Sequence, residues 1–182
     1  MKIAILLANG FEEIEALMPL DVLRRAGVTV DTVGIGAKTI IGAHNIPVIA
    51  DITDSEADAK GYDGVVFPGG MPGAVNLDAA DFTNKIIDAV KEKGGLLAAI
   101  CAAPSILGHA GLLSGKAAVC FPGFEDSLKG AMISECGVVR DGNIITAAGM
   151  GVALEFGLAL VEALYGKEKA NELFCGTQAS RR

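Results

Sequence analysis

The run Gly94-Gly95-Leu96-Leu97-Ala98-Ala99-Ile100-Cys101-Ala102-Ala103-Pro104-Ser105 leaves this chain few ways to fold. An apolar strand runs straight into Cys101, and Pro104 opens the next segment as a helix. Alanine stands at positions 99, 102 and 103, where a sharp strand-to-helix turn has no room for large side chains. That is the layout of a nucleophile elbow, with cysteine where hydrolases place serine. At a helix start, free backbone N–H groups and the macrodipole favour an anion. Cys101 is therefore expected to have a lowered pKa and to act as a thiolate at neutral pH. An inert cysteine at a strand end is the competing reading.

The rest of the chain repeats the strand–helix alternation that such an elbow requires. Apolar strands are predicted at Lys2–Leu7, Val28–Val33, Val65–Phe67 and Leu96–Ile100. Helices are predicted at Glu12–Ala26, Asp81–Lys93, Ala153–Tyr165 and Lys167 to about Cys175. The first carries Ile14, Leu17, Met18, Val22 and Leu23 on its apolar side and stops at Gly27. Val138–Thr146 reads as a hairpin turning at Asp141-Gly142. Continuous apolar strands alternating with helices mean α/β with a mostly parallel sheet. Ligands in such sheets bind beyond the carboxyl ends of the strands. Cys101, Gly69-Gly70 and Asn9-Gly10-Phe11-Glu12 all come directly after strands, so three loops converge there. The tail Gln178–Arg182 is expected to be loose.

The 182 residues suit one domain over 1–182, and half are apolar (51%), enough for a sizeable core. A net charge of -7 argues against a nucleic-acid partner. No apolar run is long enough to cross a bilayer. The four cysteines form no C-x-x-C pair, so free thiols in a reducing, cytoplasmic setting are expected.

Glu12, Glu13 and Glu15 open the first helix, where negative charge suits the dipole. Glu12 and Glu15 share a face. If the first strand lies beside the one carrying Cys101, one of them points at the thiol. A carboxylate beside a thiolate is repulsive, so such a pair needs the carboxyl protonated, which is also what a general acid requires. Gly69-Gly70, between two prolines, reads as a plain turn or as an oxyanion hole, with the Gly70 and Ala102 N–H groups as donors. His109 lies about 12 Å from Cys101 along a helix at 1.5 Å per residue and cannot be its base. His44 falls in a loop or short hairpin. Neither histidine has a metal-ligand neighbour in sequence, so no metal and no cofactor are assigned.

Ala8-Asn9-Gly10-Phe11-Glu12-Glu13-Ile14-Glu15, Val66-Phe67-Pro68-Gly69-Gly70 and Ala98-Ala99-Ile100-Cys101-Ala102-Ala103-Pro104 together resemble the ThiJ/PfpI superfamily, in the branch of the Parkinson-disease deglycase. Gly149-Met150-Gly151, with Ala153-Leu154-Glu155-Phe156-Gly157-Leu158 just after it, resembles the family's loop before its penultimate helix. The resemblance implies a flavodoxin-like three-layer sandwich and a homodimer. It implies a reactive Cys101 hydrogen-bonded to a protonated Glu15, oxyanion-hole amides at Gly70 and Ala102, and Glu12, Gly69, Phe121 and Gly149 in the substrate pocket. Arg25 matches an interface arginine bordering the partner's pocket. The peptidase-like branch has histidine directly after the cysteine, where this chain has Ala102, which argues against a protease. Phe121-Pro122 stands where some members of the nearer branch place a histidine facing the cysteine.

The function that the resemblance implies is a glutathione-independent, cysteine-dependent glyoxalase III-like lyase or protein or nucleotide deglycase, acting on small 2-oxoaldehydes such as methylglyoxal. The rival is a non-enzymatic, redox-responsive stress protein or chaperone in which Cys101 is oxidised to a sulfinate.

Overall fold

The computed structural model describes residues 1–179; of the predicted tail, Ser180–Arg182 lie outside the described residues. The strands are β1 (Lys2–Leu7), β2 (Thr29–Gly34), β3 (Thr39–Ile41), β4 (Pro47–Ile49), β5 (Ile52–Thr53), β6 (Gly64–Phe67), β7 (Leu96–Ile100), β8 (Ala117–Ala118), β9 (Met132–Ile133), β10 (Val138–Asp141) and β11 (Ile144–Ala147). The helices are α1 (Glu13–Arg25), α2 (Gly73–Asp78), α3 (Asp81–Glu92), α4 (Pro104–His109), α5 (Ala153–Tyr165) and α6 (Lys167–Gly176).

Seven strands form one sheet in the order β10-β11-β7-β6-β1-β2-β5. All neighbours are parallel except the β10–β11 hairpin. The strands are apolar without alternation because both faces are covered: Ile3 to Leu7 and Ala98 to Ile100 are fully buried. One face packs under α1, α5 and α6, the other under α3 and α4. This is the three-layer, flavodoxin-like α/β sandwich expected.

Two local features set how α1 lies over the sheet edge. Gly157 of α5 lets the helices approach closely, since a Cβ there would sit 3.1 Å from Val22 Cβ and 3.2 Å from Pro19 Cα. Pro19 lies inside α1 and lacks the N–H that would bond the Glu15 carbonyl one turn back. Of the apolar residues predicted on α1, Val22 and Leu23 are buried; Leu17 and Met18 are half-buried and Ile14 is exposed.

Strand pairing corrects one premise. β1 is not beside β7; β6 lies between them, with Ile5 opposite Val66 and Val66 opposite Ala98. α1 nevertheless reaches the thiol, because the β6 loop separating them is the side-chain-free pair Gly69-Gly70. Of the two readings for the segment around His44, a loop or a short hairpin, the structure shows the hairpin: β3 and β4 are antiparallel and His44 lies in their turn.

Candidate functional site

Cys101 leaves β7 with φ 65°, a left-handed conformation rare for a residue with a side chain. Such a backbone costs on the order of 1–3 kcal/mol and persists only where its surroundings hold it. Here the Cys101 N–H donates to the Ala147 carbonyl at 2.8 Å, and the Cys101 carbonyl accepts from the Phe121 N–H at 2.8 Å. Both ends of the elbow are therefore pinned, one by β11 and one by the segment after β8. Ala99 and Ala103 are fully buried and Ala102 nearly so, which accounts for small residues around the turn.

Glu15, on the first turn of α1, is only 1% exposed. Its Oε2 accepts the Gly69 N–H at 2.9 Å. The carboxyl group also faces the Cys101 side chain and the Met150 backbone N–H. Glycine at 69 is required by space: a Cβ there would lie 2.7 Å from both Cys101 Cβ and Glu15 Oε2. Gly70 has φ 86°, and its added Cβ would run into the Gly10 carbonyl and the backbone between Phe11 and Glu12. The Gly70 and Ala102 N–H groups both face the sulfur.

Electrostatics correct the expected thiolate. Burial, then the charge of Glu15, push the Cys101 thiol up to about 12, against the opposing pull of the Gly70 and Ala102 amides. Burial also pushes Glu15 up to about 7, with the charge of Glu12 adding to it and hydrogen bonds from Cys101, Gly69 and Met150 opposing it. Desolvation inside the site outweighs the helix-start effect from which a free thiolate was expected. The two groups titrate as a pair, releasing one proton near neutrality and keeping the second. The charge lies on sulfur only in the form where Glu15 holds that second proton.

Glu12 comes to the same edge as Glu15, because its N–H donates to the Gly69 carbonyl at 2.9 Å and its side chain is half-buried there. Phe121 and Gly149 adjoin each other, since a Cβ on Gly149 would sit 3.4 Å from the Phe121 ring and 3.9 Å from Glu15 Oε1. An open groove of about 310 Å³ runs past both, also lined by Pro122, Met150 and Val152. Arg25 is not brought to this site. It lies ten residues beyond Glu15, roughly 15 Å along α1 at 1.5 Å per residue, and its Nε donates to Asp21 Oδ2 at 2.6 Å. His109 Nδ1 lies 2.7 Å from Asp78 Oδ2, away from the thiol.

His44 has carboxylate neighbours that its place in the sequence does not show. It is exposed on the β3–β4 turn, yet its Nδ1 lies 2.8 Å from Glu13 Oε2 and 3.4 Å from Glu12 Oε2. These three side chains could hold a metal ion between them. In sequence Glu13 reads only as a helix-start charge. In the fold it is 3% exposed, and its Oε1 accepts the His44 N–H at 2.8 Å, tying the hairpin turn to α1. Both Glu13 oxygens are thus already engaged by the hairpin, so the cluster has a structural use without an ion. No charge pattern in the sequence pairs residues 31 positions apart.

A strained, pinned cysteine elbow at the carboxyl edge of a parallel sheet, beside a buried glutamic acid, defines an α/β protein of the cysteine-elbow class. The DJ-1/PfpI family model matches residues 1–163, and the chain belongs to that family. It is 35% identical over 175 residues to Protein dj-1beta of Drosophila melanogaster, covering 94% of each chain. It is 32% identical over 164 residues to the glutathione-independent glyoxalase DJR-1.2 of Caenorhabditis elegans, covering 89% of this chain and 87% of that one. The structure of oxidized Toxoplasma gondii DJ-1 superposes with a TM-score of 0.91 at 35% identity, covering 97% of each chain.

Proposed function

We propose that this protein converts small 2-oxoaldehydes such as methylglyoxal into 2-hydroxy acids without glutathione, using Cys101 as nucleophile and Glu15 as proton carrier. The observation that carries the reading is the pairing of buried Glu15 with the half-buried Cys101 thiol, among backbone donors at Gly69, Gly70, Ala102 and Met150. A relative bearing the glyoxalase name at 32% identity supports the reaction class.

The Cys101 thiolate, formed with Glu15 protonated, adds to the aldehyde carbon. Its electron pair makes the C–S bond, and the carbonyl oxygen takes up the negative charge and then a proton from Glu15. The Gly70 and Ala102 N–H groups stabilise that charge as it develops. Glu15, now a carboxylate, removes the hydrogen from the same carbon to give an enediol. Reprotonation at the neighbouring carbon leaves a 2-hydroxyacyl thioester. Water hydrolyses it to the 2-hydroxy acid and returns the thiol. The aldehyde carbon is oxidised and the ketone carbon reduced, so no outside oxidant enters. Covalent attachment divides a difficult rearrangement into easier steps. Amine adducts of these aldehydes form reversibly, so removing the free aldehyde also draws them down, giving a deglycase outcome by mass action.

The same reading includes a symmetric dimer across α1, whose Ile14, Leu17 and Met18 are left partly uncovered. Arg25, distant from the Cys101 of its own chain, would then border the pocket of a second copy.

The deciding experiment tracks methylglyoxal to lactate, without glutathione, for wild type, Cys101→Ser and Glu15→Gln. Lactate formation is expected from wild type and is lost in Cys101→Ser. Glu15→Gln keeps the fold and loses most turnover. Equal rates for wild type and Cys101→Ser would refute the proposal.

A further inference from the structure

The groove past Phe121 and Gly149, which adjoins Glu15 where a Cβ on Gly149 would lie 3.9 Å from its Oε1, is larger and more apolar than a three-carbon aldehyde needs. It is a shallow, solvent-open groove of about 310 Å³. Phe121 and Met150 flank it and are 49% and 57% exposed, large apolar side chains with no covering group among the described residues. Pro122, Gly149 and Val152 complete its wall, and no charged side chain or histidine contributes.

Position relative to the sulfur gives the groove its meaning. β7 lies between β6 and β11, so Cys101 has two flanks. On the β6 side stands the Gly70 N–H, one of the donors facing the sulfur. On the β11 side are the Ala148–Val152 loop and Phe121, the latter fixed by its N–H bond to the Cys101 carbonyl at 2.8 Å. An aldehyde whose oxygen is held on the β6 side extends its ketone substituent toward the β11 side. Gly149 leaves that path open next to the Phe121 ring, where a Cβ would narrow it.

We infer that the site selects 2-oxoaldehydes whose ketone carbon carries a bulky apolar group, an aryl ring above all, with Phe121 and Met150 setting that preference. The inference rests on the reaction assigned to Cys101 and Glu15 and adds the substrate class. A methyl group leaves the groove wet; a phenyl ring displaces its water and stacks against Phe121.

The test compares initial kcat/KM for phenylglyoxal to mandelate and methylglyoxal to lactate, without glutathione. Apolar-pocket discrimination predicts about a tenfold advantage for phenylglyoxal in wild type. Phe121→Ala is expected to bring the ratio of the two close to one, mainly through KM for phenylglyoxal, and Phe121→Leu to give an intermediate ratio. Methylglyoxal turnover with no phenylglyoxal advantage in wild type would overturn the inference and leave the reaction assignment standing. A wild-type advantage that persists in Phe121→Ala would overturn the role of Phe121. Failure to turn over either aldehyde would overturn the reaction assignment itself.

Discussion

Glu15→Gln isolates the cost of charging the buried acid. Glutamine keeps the volume and the oxygen that accepts the Gly69 N–H, but it cannot ionise. In the unfolded chain Glu15 titrates near its ordinary 4.5, whereas burial in the folded protein moves it to about 7. Below 4.5 both states are protonated. Between those values the unfolded chain releases a proton that the folded chain keeps, so stability falls as pH rises. The stabilisation of the acid form is complete below the unfolded value and is lost by the time pH passes the folded one. At 1.36 kcal/mol per pH unit the loss reaches about 3 kcal/mol as an upper bound. Because Cys101 is pushed up to about 12, it keeps its place in the pair's proton count across this window. The slope is the same whichever atom of the pair holds the remaining proton. Urea unfolding of wild type and Glu15→Gln at pH 4.5, 6, 7 and 8, at one protein concentration under reducing conditions, gives the difference directly. Other carboxylates, such as Asp51, held low by hydrogen bonds from Thr32 despite burial, cancel in that difference. The variant should gain on wild type with rising pH by up to about 3 kcal/mol. A difference that stays flat from pH 4.5 to 8 would refute a buried, neutral Glu15.

Gly69→Ala places a methyl 2.7 Å from both Cys101 Cβ and Glu15 Oε2; overpacking of this kind costs about 1–3 kcal/mol, and iodoacetamide labelling of Cys101 should slow even where the fold survives. Thr83 is 1% exposed and its hydroxyl has no partner among the described residues. Thr83→Val should therefore stabilise the protein by about 1 kcal/mol, read as a Tm rise of about 2–4 °C; a lower Tm would mean that the hydroxyl is bonded. Graded peroxide should add two oxygens to the Cys101 peptide before altering buried Cys120, because the Gly70 and Ala102 amides and the Glu15 acid can all donate to a sulfinate; oxidation spread evenly over the four cysteines would count against a protected product. Light scattering at micromolar protein should give a dimer mass, with Met18→Asp shifting it toward monomer; a concentration-independent wild-type monomer would remove Arg25 from any partner's pocket.

Much of this protein is legible in the chain alone. Uninterrupted apolar strands mean a doubly covered parallel sheet, and Cys101 between a strand and Pro104 means an elbow at its carboxyl edge. Both are local or periodic signals, carried within a dozen residues, so the chain states them directly. Glu15, Gly70 and Ala102 are reachable for the same reason: each sits at a helix start or a strand end, and parallel topology brings such ends together. Strand order is a different kind of information. That β6 separates β1 from β7, and that Glu15 still meets Cys101 because glycines stand between them, depends on pairings across some thirty to sixty residues that no local pattern encodes. The ionisation of the pair belongs there too. A helix start alone predicts a thiolate, but only the packed site removes the water that would make that charge cheap, and burial pushes both groups up together. The tie between Glu13 and His44, and the Phe121–Gly149 groove, likewise arise from contacts between distant segments. The sequence determined which chemical groups were available and on which edge of the sheet they would gather. Tertiary structure decided their neighbours, their hydration and so their protonation, because desolvation and Coulomb interaction depend on distance through space and not along the chain.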